Sequence, residues 1–226
     1  MNKFDLLIFD LDGTLLDTAP DVLTCANIAL AEMGLPQLTL EQIKKAIGPG
    51  PDNFVRITLG ESNLHRREEF YTIFRSCYIE KCADKTRLFP GVRELLDQLP
   101  PLKLSVATNK PLVYSEKILR HLNLSDSFDL VVGPELVKHV KPHPGMVEYA
   151  LKHFRIDPSR ALMIGDTDND ILSAQAAHVR TCAVGWGYSD INDLKKLAPD
   201  YIVNEPGELL DILQLKPVAE EIRNSR

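Results

Sequence analysis

The chain alternates short apolar segments of strand length with longer segments of mixed polarity. Each short segment is apolar on successive residues rather than on every second one, which is typical of strands buried on both faces of a parallel sheet. The predicted strands cover residues 4–9, 102–107, 128–132, 161–164, 181–184 and 201–203. We expect them to lie side by side in a parallel sheet.

Helical patterns with recognisable starts separate these strands. Pro90 and Gly91 precede "VRELLDQL", Pro111 opens "PLVYSEKILRHL" and Pro144 opens "PGMVEYALKHF". Proline is favoured at the first position of a helix because its missing N–H would have no partner there. Strands that alternate with helices predict an α/β fold with a doubly wound, Rossmann-like parallel sheet.

Residues 16–85 break this alternation. They contain no convincing strand but four helical patterns, at about 20–33, 39–47, 52–59 and 63–82, and Thr39 with Gln42 forms a plausible capping box for the second. The sequence therefore predicts an α/β core made of residues 1–15 and 86–226, interrupted by an all-helical insertion at 16–85. Within the insertion, "GPGPD" at 48–52 is either a plain turn or a loop that closes over a site.

Polar side chains follow three of the predicted strands directly, and a fourth polar segment precedes a proline turn. The residues concerned are Asp10 and Asp12, then Thr108, Asn109 and Lys110, then Asp166, Asp168 and Asp170, and finally Lys141. Ligands of open parallel sheets bind outside the carboxyl ends of the strands. We therefore expect these distant residues to meet at one edge of the sheet.

The side chains at this edge are suited to phosphate chemistry. Several carboxylates without His or Cys indicate a hard divalent cation, most simply Mg²⁺. The Thr108 hydroxyl and the Lys141 ammonium supply a donor and a point charge for a phosphoryl group. One carboxylate of the pair Asp10 and Asp12 can attack phosphorus while the other transfers protons.

Composition and charge limit the classes of partner and the cellular locations that we expect for the chain. The chain has 226 residues and a net charge of −6, which argues against nucleic acid as a partner. There is no apolar run of about 18 residues, so no membrane span is expected. The short N-terminal apolar run is cut by Asp10, so it does not resemble a signal peptide. Four cysteines without a CxxC pair predict reduced thiols and a cytoplasmic location.

Four motifs in this order resemble the haloacid dehalogenase superfamily of phosphohydrolases. They are "FDLDGT" (9–14), "ATNK" (107–110), "KPHP" (141–144) and "GDTDND" (165–170), and they span the whole predicted core. The helical insertion resembles the cap domain of that family. The longer matches "LDGTLLDTAPD", "TNKP", "GDTDNDILSAQAA" and "GWGYSD" most resemble the phosphoglycolate phosphatase branch.

The resemblance implies a role for each motif residue. Asp10 would be the nucleophile and a metal ligand, and Asp12 the general acid and base, with its backbone carbonyl on the metal. The phosphoryl group would be bound by Thr108, Asn109 and Lys141. Asp166 would ligate Mg²⁺, and Asp170 would support the metal through water or hold Lys141.

Some positions depart from the pattern or stay undecided. His178 stands where relatives usually carry a glycine, at a helix end that favours the left-handed conformation. Trp186 either lines the site or packs against the sheet edge. Arg56 either reaches a substrate carboxylate from the insertion or faces solvent, and we favour solvent.

The resemblance and the site chemistry favour a Mg²⁺-dependent phosphomonoesterase that acts on a small phosphorylated metabolite, first of all 2-phosphoglycolate. A pyrophosphatase or nucleotide phosphatase, or a phosphosugar mutase, of the same superfamily are the alternatives. A dehalogenase would not need the acid Asp12, a glycosyltransferase would leave Lys141 unexplained, and a binding module without activity would be expected to lack one of the motifs. The sequence is compatible with a monomer or a homodimer.

Overall fold

A computed structural model describes residues 3–48 and 50–213, so Pro49 of the "GPGPD" loop and the segment from 214 onward in the predicted core lie outside the described residues. Six parallel strands form the central sheet in the order β5-β4-β1-β6-β7-β8. These strands are β1 (Leu6–Phe9), β4 (Lys103–Ala107), β5 (Leu130–Val132), β6 (Ala161–Gly165), β7 (Arg180–Val184) and β8 (Tyr201–Val203). The predicted α/β class and all six predicted strands are confirmed.

Helices connect the strands and cover the sheet. In the insertion they are α1 (Ala19–Glu32), α2 (Leu40–Ala46), α3 (Pro51–Leu59) and α4 (Arg67–Lys81). Around the sheet they are α5 (Val92–Gln98), α6 (Leu112–His121), α7 (Gly145–Phe154), α8 (Asp168–Ala176), α9 (Ile191–Lys195) and α10 (Glu208–Ile212). The Thr39 capping box is present, since the Gln42 N–H donates to the Thr39 hydroxyl at 3.3 Å and the Gln42 side chain accepts from the Thr39 N–H.

The central strand β1 fixes the position of the polar strand ends. All four of its residues are buried, because its neighbours β4 and β6 pair with it on both sides and helices cover the sheet. Phe9 stands level with Val106 of β4 and Ile164 of β6. The polar residues that follow these strands therefore leave the sheet at the same edge, as predicted.

Two details of the insertion differ from the prediction. A two-residue strand β2 (Leu16–Asp17) pairs antiparallel with β3 (Arg87–Leu88), so the expectation of no strand in 16–85 is wrong at its first two residues. Two residues are too few to show a period in the sequence. The predicted helix 63–82 divides into a 3-10 helix, Glu61–Arg66, and α4.

The cysteines also differ from the prediction. Cys25 on α1 and Cys77 on α4 form a disulfide with a Cα–Cα distance of 5.5 Å, whereas Cys82 and Cys182 are free and buried. The expectation of reduced thiols is therefore wrong for Cys25 and Cys77. These two residues lie 52 positions apart, and only the packing of α1 on α4 brings them together.

His178 has a φ of 58°, the left-handed conformation that was expected at this helix end. Across the part of the chain that the structure describes, no helix is long and apolar enough to cross a membrane.

Candidate active site

The polar residues at the sheet edge form one buried cluster. Asp10, Thr108, Lys141, Asp166 and Asp170 are each 4% exposed or less. Carboxylate oxygens of Asp10, Asp166 and Asp170 lie within 4.8 Å of one another. Residues up to 160 positions apart are thus brought together by the order of the strands.

Lys141 is the ammonium at the centre of this cluster. Its Nζ donates to Asp10 Oδ1 at 2.7 Å, to Asp170 Oδ1 at 2.6 Å and to the carbonyl oxygen of Ala107 at 2.6 Å. Its three N–H groups therefore have three acceptors. The other oxygen of Asp170 accepts from the backbone and hydroxyl of Thr167, so Asp170 is fixed on both sides and holds Lys141 directly.

The cluster has more negative than positive charge. Burial raises the pKa of Asp10 well above its ordinary value; Lys141 opposes this shift, and Asp170 and Asp166 add to it. Burial and then the neighbouring Asp170 raise the pKa of Asp166 to about 7. A divalent cation would supply the missing positive charge, and an all-oxygen donor set suits Mg²⁺. Asp10 and Asp166 therefore fit the predicted ligand roles, while the side chain of Asp12 lies outside this group.

Asp166 is oriented by its surroundings. Its Oδ1 accepts from the Thr14 hydroxyl at 2.9 Å and its Oδ2 from the Tyr188 N–H at 2.8 Å. Two glycines press against it: a Cβ on Gly13, where φ is +90°, or on Gly187 would lie 2.2 Å from an Asp166 side-chain atom. Neither position has room for a side chain unless the carboxylate moves.

We expect Gly187→Ala to displace Asp166. Because misplacing a reacting group by about 1 Å can cost on the order of 100-fold in rate, kcat should fall at least about tenfold, and the Mg²⁺ concentration for half-maximal activity should rise. The matched control is Gly207→Ala, since nothing lies within 4 Å of its added Cβ. An unchanged Mg²⁺ requirement in Gly187→Ala would show that this contact does not position the ligand.

Asp12 has a different environment from Asp10, although only one residue separates them. Lys110 Nζ contacts its two oxygens at 3.0 and 2.8 Å, and the Thr18 hydroxyl donates to Oδ1 at 2.6 Å. The Lys110 side chain is 7% exposed. Sequence reasoning gave Lys110 no role, although it is the last residue of the "ATNK" motif and the signal was available there.

Thr108 and Asn109 lie in the same cavity, but their polar atoms differ in availability. The Thr108 oxygen accepts from the Lys110 N–H at 3.1 Å, which leaves its own O–H to donate. The Asn109 amide donates to the carbonyl oxygens of Gly48 and Lys141 and accepts from the Lys141 N–H. Asn109 is therefore positioned to hold the Lys141 backbone and the loop at Gly48.

The undecided residues Trp186 and Arg56, and three other polar residues near the motifs, lie outside the polar cluster. Trp186 is half-buried and donates from its indole N–H to the Thr14 carbonyl at 2.9 Å. Arg56 is exposed, as favoured, with Glu61 at 3.5 Å. Asp168 is exposed at the start of α8. His139 and His143 are exposed and contact each other.

A cavity of about 160 Å³ opens beside the cluster. One end is lined by Asp10, Asp12, Thr108 and Lys110, and the other by side chains of α3, α4 and α6, with Gly48 and Gly50 between them. Asp10 and Asp12 thus line a partly open cavity between the strand ends and the helical insertion.

Comparison with known proteins identifies the class. The family model described as haloacid dehalogenase-like hydrolase matches residues 7–184. A phosphoglycolate phosphatase of Nitrosospira multiformis is 35% identical, with 92% of this chain and 95% of that protein covered. An N-acetylmuramic acid 6-phosphate phosphatase of Pseudomonas aeruginosa is also 35% identical, with 93% and 95% covered.

Solved structures agree in fold. A protein of Haemophilus somnus described as a predicted phosphoglycolate phosphatase superposes with a TM-score of 0.87 at 29% identity, covering 94% of this chain and 99% of that one. A haloacid dehalogenase-like hydrolase of Streptococcus pneumoniae gives 0.84 at 28% identity, covering 93% and 98%.

The chain belongs to the haloacid dehalogenase-like hydrolases. Within them it lies in the phosphoglycolate phosphatase branch and is a phosphoric monoester hydrolase. The family resemblance of the four motifs is thereby confirmed.

Proposed function

We propose that the chain is a Mg²⁺-dependent phosphomonoesterase that hydrolyses 2-phosphoglycolate to glycolate and phosphate through an aspartyl-phosphate on Asp10. The observation that carries the proposal is the position of the Asp10 carboxylate. Its Oδ1 accepts a hydrogen bond from Lys141 Nζ at 2.7 Å, and carboxylate oxygens of Asp166 and Asp170 lie within 4.8 Å of it. Asp10 also lines the cavity, as Asp12 and Thr108 do.

Each side chain has a task in this proposal. Asp10 attacks phosphorus, and Thr108 and Lys141 bind the oxygens of the transferred group. Lys141 is shared with Asp170, so its ammonium stays in place when Asp10 loses its charge to the acyl phosphate. Asn109 positions Lys141 through the backbone.

Asp12 transfers protons in both halves of the reaction. It protonates the oxygen of the leaving alcohol when the P–O bond breaks, and then takes a proton from the water that attacks the aspartyl-phosphate. Lys110 and Thr18 hold its carboxylate at the cavity wall. Because Thr18 immediately precedes α1, a hydrogen bond ties the proton-transfer group to the start of the helical insertion.

Mg²⁺ would be held by the side chains of Asp10 and Asp166 and the main-chain carbonyl of Asp12, with Asp170 supporting it. When bound, it neutralises negative charge on the transferring phosphoryl group. The all-oxygen donors and the raised pKa of Asp166 support this part of the proposal.

We also propose that residues 16–85 act as a cap domain over the core of residues 1–15 and 86–226. The cavity supports this division of labour, since α3 and α4 supply its outer wall and the strand ends supply its floor. In the same proposal, the chain acts on a small phosphorylated metabolite, either as a monomer or as a homodimer. The cytoplasmic location stays a prediction, and the Cys25–Cys77 disulfide removes the thiol pattern on which it rested.

The test is a panel of phosphomonoesters assayed with and without Mg²⁺, with Asp10→Asn as the blank. The panel should contain 2-phosphoglycolate, a nucleoside monophosphate, a hexose phosphate and inorganic pyrophosphate. We expect Mg²⁺-dependent phosphate release from 2-phosphoglycolate. A preference for pyrophosphate or a nucleotide would favour the alternative phosphatases instead, and interconversion of a hexose phosphate without phosphate release would indicate a mutase.

A further inference from the structure

The outer part of the cavity is aromatic. It is lined by Phe54 of α3, by Tyr71, Phe74 and Tyr78 of α4, and by Tyr114 of α6, a set that we call the aromatic chamber. The rings contact one another, with centroid distances of 5.1 Å for Phe54–Phe74, 5.1 Å for Phe74–Tyr78 and 4.9 Å for Tyr78–Tyr114. The loop at 48–52 contributes Gly48, Gly50 and Pro51 to the cavity lining, but apolar rings form much of the wall.

Two adjoining cavities together have room for a ring. An apolar cavity of about 150 Å³ in another protein binds one benzene molecule. This cavity measures about 160 Å³ with its polar end included, and it shares Tyr71 and Arg75 with a second cavity of about 430 Å³ into which a ring can extend. Glycolate has no ring and little apolar surface to bury. Five aromatic side chains are therefore more than glycolate needs, and they suit a leaving group with a flat or apolar face.

Tyr78 joins the aromatic chamber to the polar end of the cavity. It is 2% exposed, and the Lys110 ammonium lies 5.1 Å from the centroid of its ring. A ring bound in the chamber would therefore lie next to the group that holds Asp12.

A cation stands at the outer end of the chamber. Arg75 is exposed, and its guanidinium lies over the Tyr71 ring at 4.5 Å. Within residues 3–48 and 50–213 no carboxylate lies within 4.0 Å of it, whereas Lys110 at the inner end is paired with Asp12. Arg75 and Tyr71 also border a second cavity of about 430 Å³, so a ligand that fills the chamber can extend past Arg75.

From the aromatic lining, the size of the adjoining cavities and the position of Arg75, we infer that the site also takes phosphomonoesters whose leaving group is a six-membered ring with a carboxylate. The ring would lie in the aromatic chamber and the carboxylate on Arg75. The inference rests on the proposed function. The reaction is the same: the bond from phosphorus to the ring alcohol breaks, Asp10 takes the phosphoryl group, and Asp12 gives the alcohol oxygen its proton. Water then releases phosphate and returns a proton to Asp12.

Three phosphates of primary alcohols test this assignment, because the bond broken is of one type in all of them. They are 4-carboxybenzyl phosphate, benzyl phosphate and 2-phosphoglycolate, each assayed for kcat/KM with Mg²⁺. We expect both benzyl compounds to be hydrolysed, and the carboxylated one about tenfold more efficiently, which corresponds to about 1.4 kcal/mol. Arg75→Ala should lower the ratio between the two benzyl compounds about tenfold.

Two variants separate the charge from other effects of the substitution. Arg75→Lys keeps a cation and should retain part of the preference for the carboxylate. Arg56→Ala removes an exposed arginine of α3 that does not line the cavity, and it should keep the preference unchanged. Loss of the preference in Arg56→Ala, or its retention in Arg75→Ala, would overturn the role of Arg75.

The outcomes distinguish this inference from the proposed function. If 2-phosphoglycolate is hydrolysed and neither benzyl phosphate is, the chamber does not accept a ring and the inference fails while the proposed function stands. If no phosphomonoester is hydrolysed, both fail. Hydrolysis of all three with the carboxylate preference located at Arg75 supports both.

Discussion

Asp10→Asn is expected to abolish turnover while the protein stays folded. The amide keeps the shape of the side chain but cannot attack phosphorus, and removal of a nucleophile in a comparable covalent mechanism costs about 10⁶-fold. Lys141 keeps its contacts to Asp170 and the Ala107 carbonyl in this variant. Because one of three clustered carboxylates is neutralised, the unfolding temperature in the absence of Mg²⁺ should not fall.

The matched control for Asp10→Asn is Asp168→Asn. Asp168 is a carboxylate of the fourth motif, two residues from Asp166, but it is exposed and outside the cluster. Its substitution should leave kcat/KM nearly unchanged. Turnover by Asp10→Asn above a hundredth of the parent rate, with deamidation back to Asp excluded by mass spectrometry, would remove Asp10 from the nucleophile's role.

Removal of divalent cations should have an effect of similar size. The cluster of Asp10, Asp166 and Asp170 is buried and holds a single ammonium, so without a cation the site disfavours the ionised nucleophile and the charge of the phosphoryl group. We expect activity to vanish in excess chelator and to return with Mg²⁺. Ca²⁺ should bind but support turnover poorly, because its larger and looser coordination misplaces the reacting oxygens.

Thermal unfolding detects binding of the cation without an activity measurement. A ligand that binds only the folded state stabilises it by RT ln(1 + [L]/Kd), about 2.7 kcal/mol at 100 times Kd. Mg²⁺ should therefore raise the unfolding temperature of the parent protein and raise it much less in Asp166→Asn. Full activity in excess chelator would contradict the metal's part in the reaction.

The fold was largely predictable because its signals are local. A strand buried on both faces is apolar on every residue, as β1 is, and a proline or a capping box marks a helix start within a few residues. The short ribbon of β2 and β3 was not predictable, since two residues carry no period. The Cys25–Cys77 disulfide depends on the packing of α1 on α4, which the sequence does not record.

The polar residues at the strand ends were predictable from the sequence, and the residues that line the rest of the cavity were less so. Asp10, Asp166 and Lys141 follow or precede recognisable elements, and the parallel sheet brings such positions to one edge. Lys110 was expected at this edge but was given no role, because its partner Asp12 lies 98 residues away in the sequence. Arg75 was missed and Arg56 considered instead, because helix positions in the insertion do not show which face will meet the core.

The most direct test of the account is to trap the phosphorylated enzyme. In Asp12→Asn, an aryl phosphate with a good leaving group should still phosphorylate Asp10. The second step should be slow, because no base remains to take a proton from the water that attacks the aspartyl-phosphate. Acid quenching during turnover of 4-nitrophenyl phosphate, then digestion and mass spectrometry, should find one phosphoryl group on the peptide that contains Asp10, removable by hydroxylamine. A burst of one equivalent of nitrophenol should accompany it. A phosphoryl group on another residue, or steady turnover with no covalent species, would contradict the account.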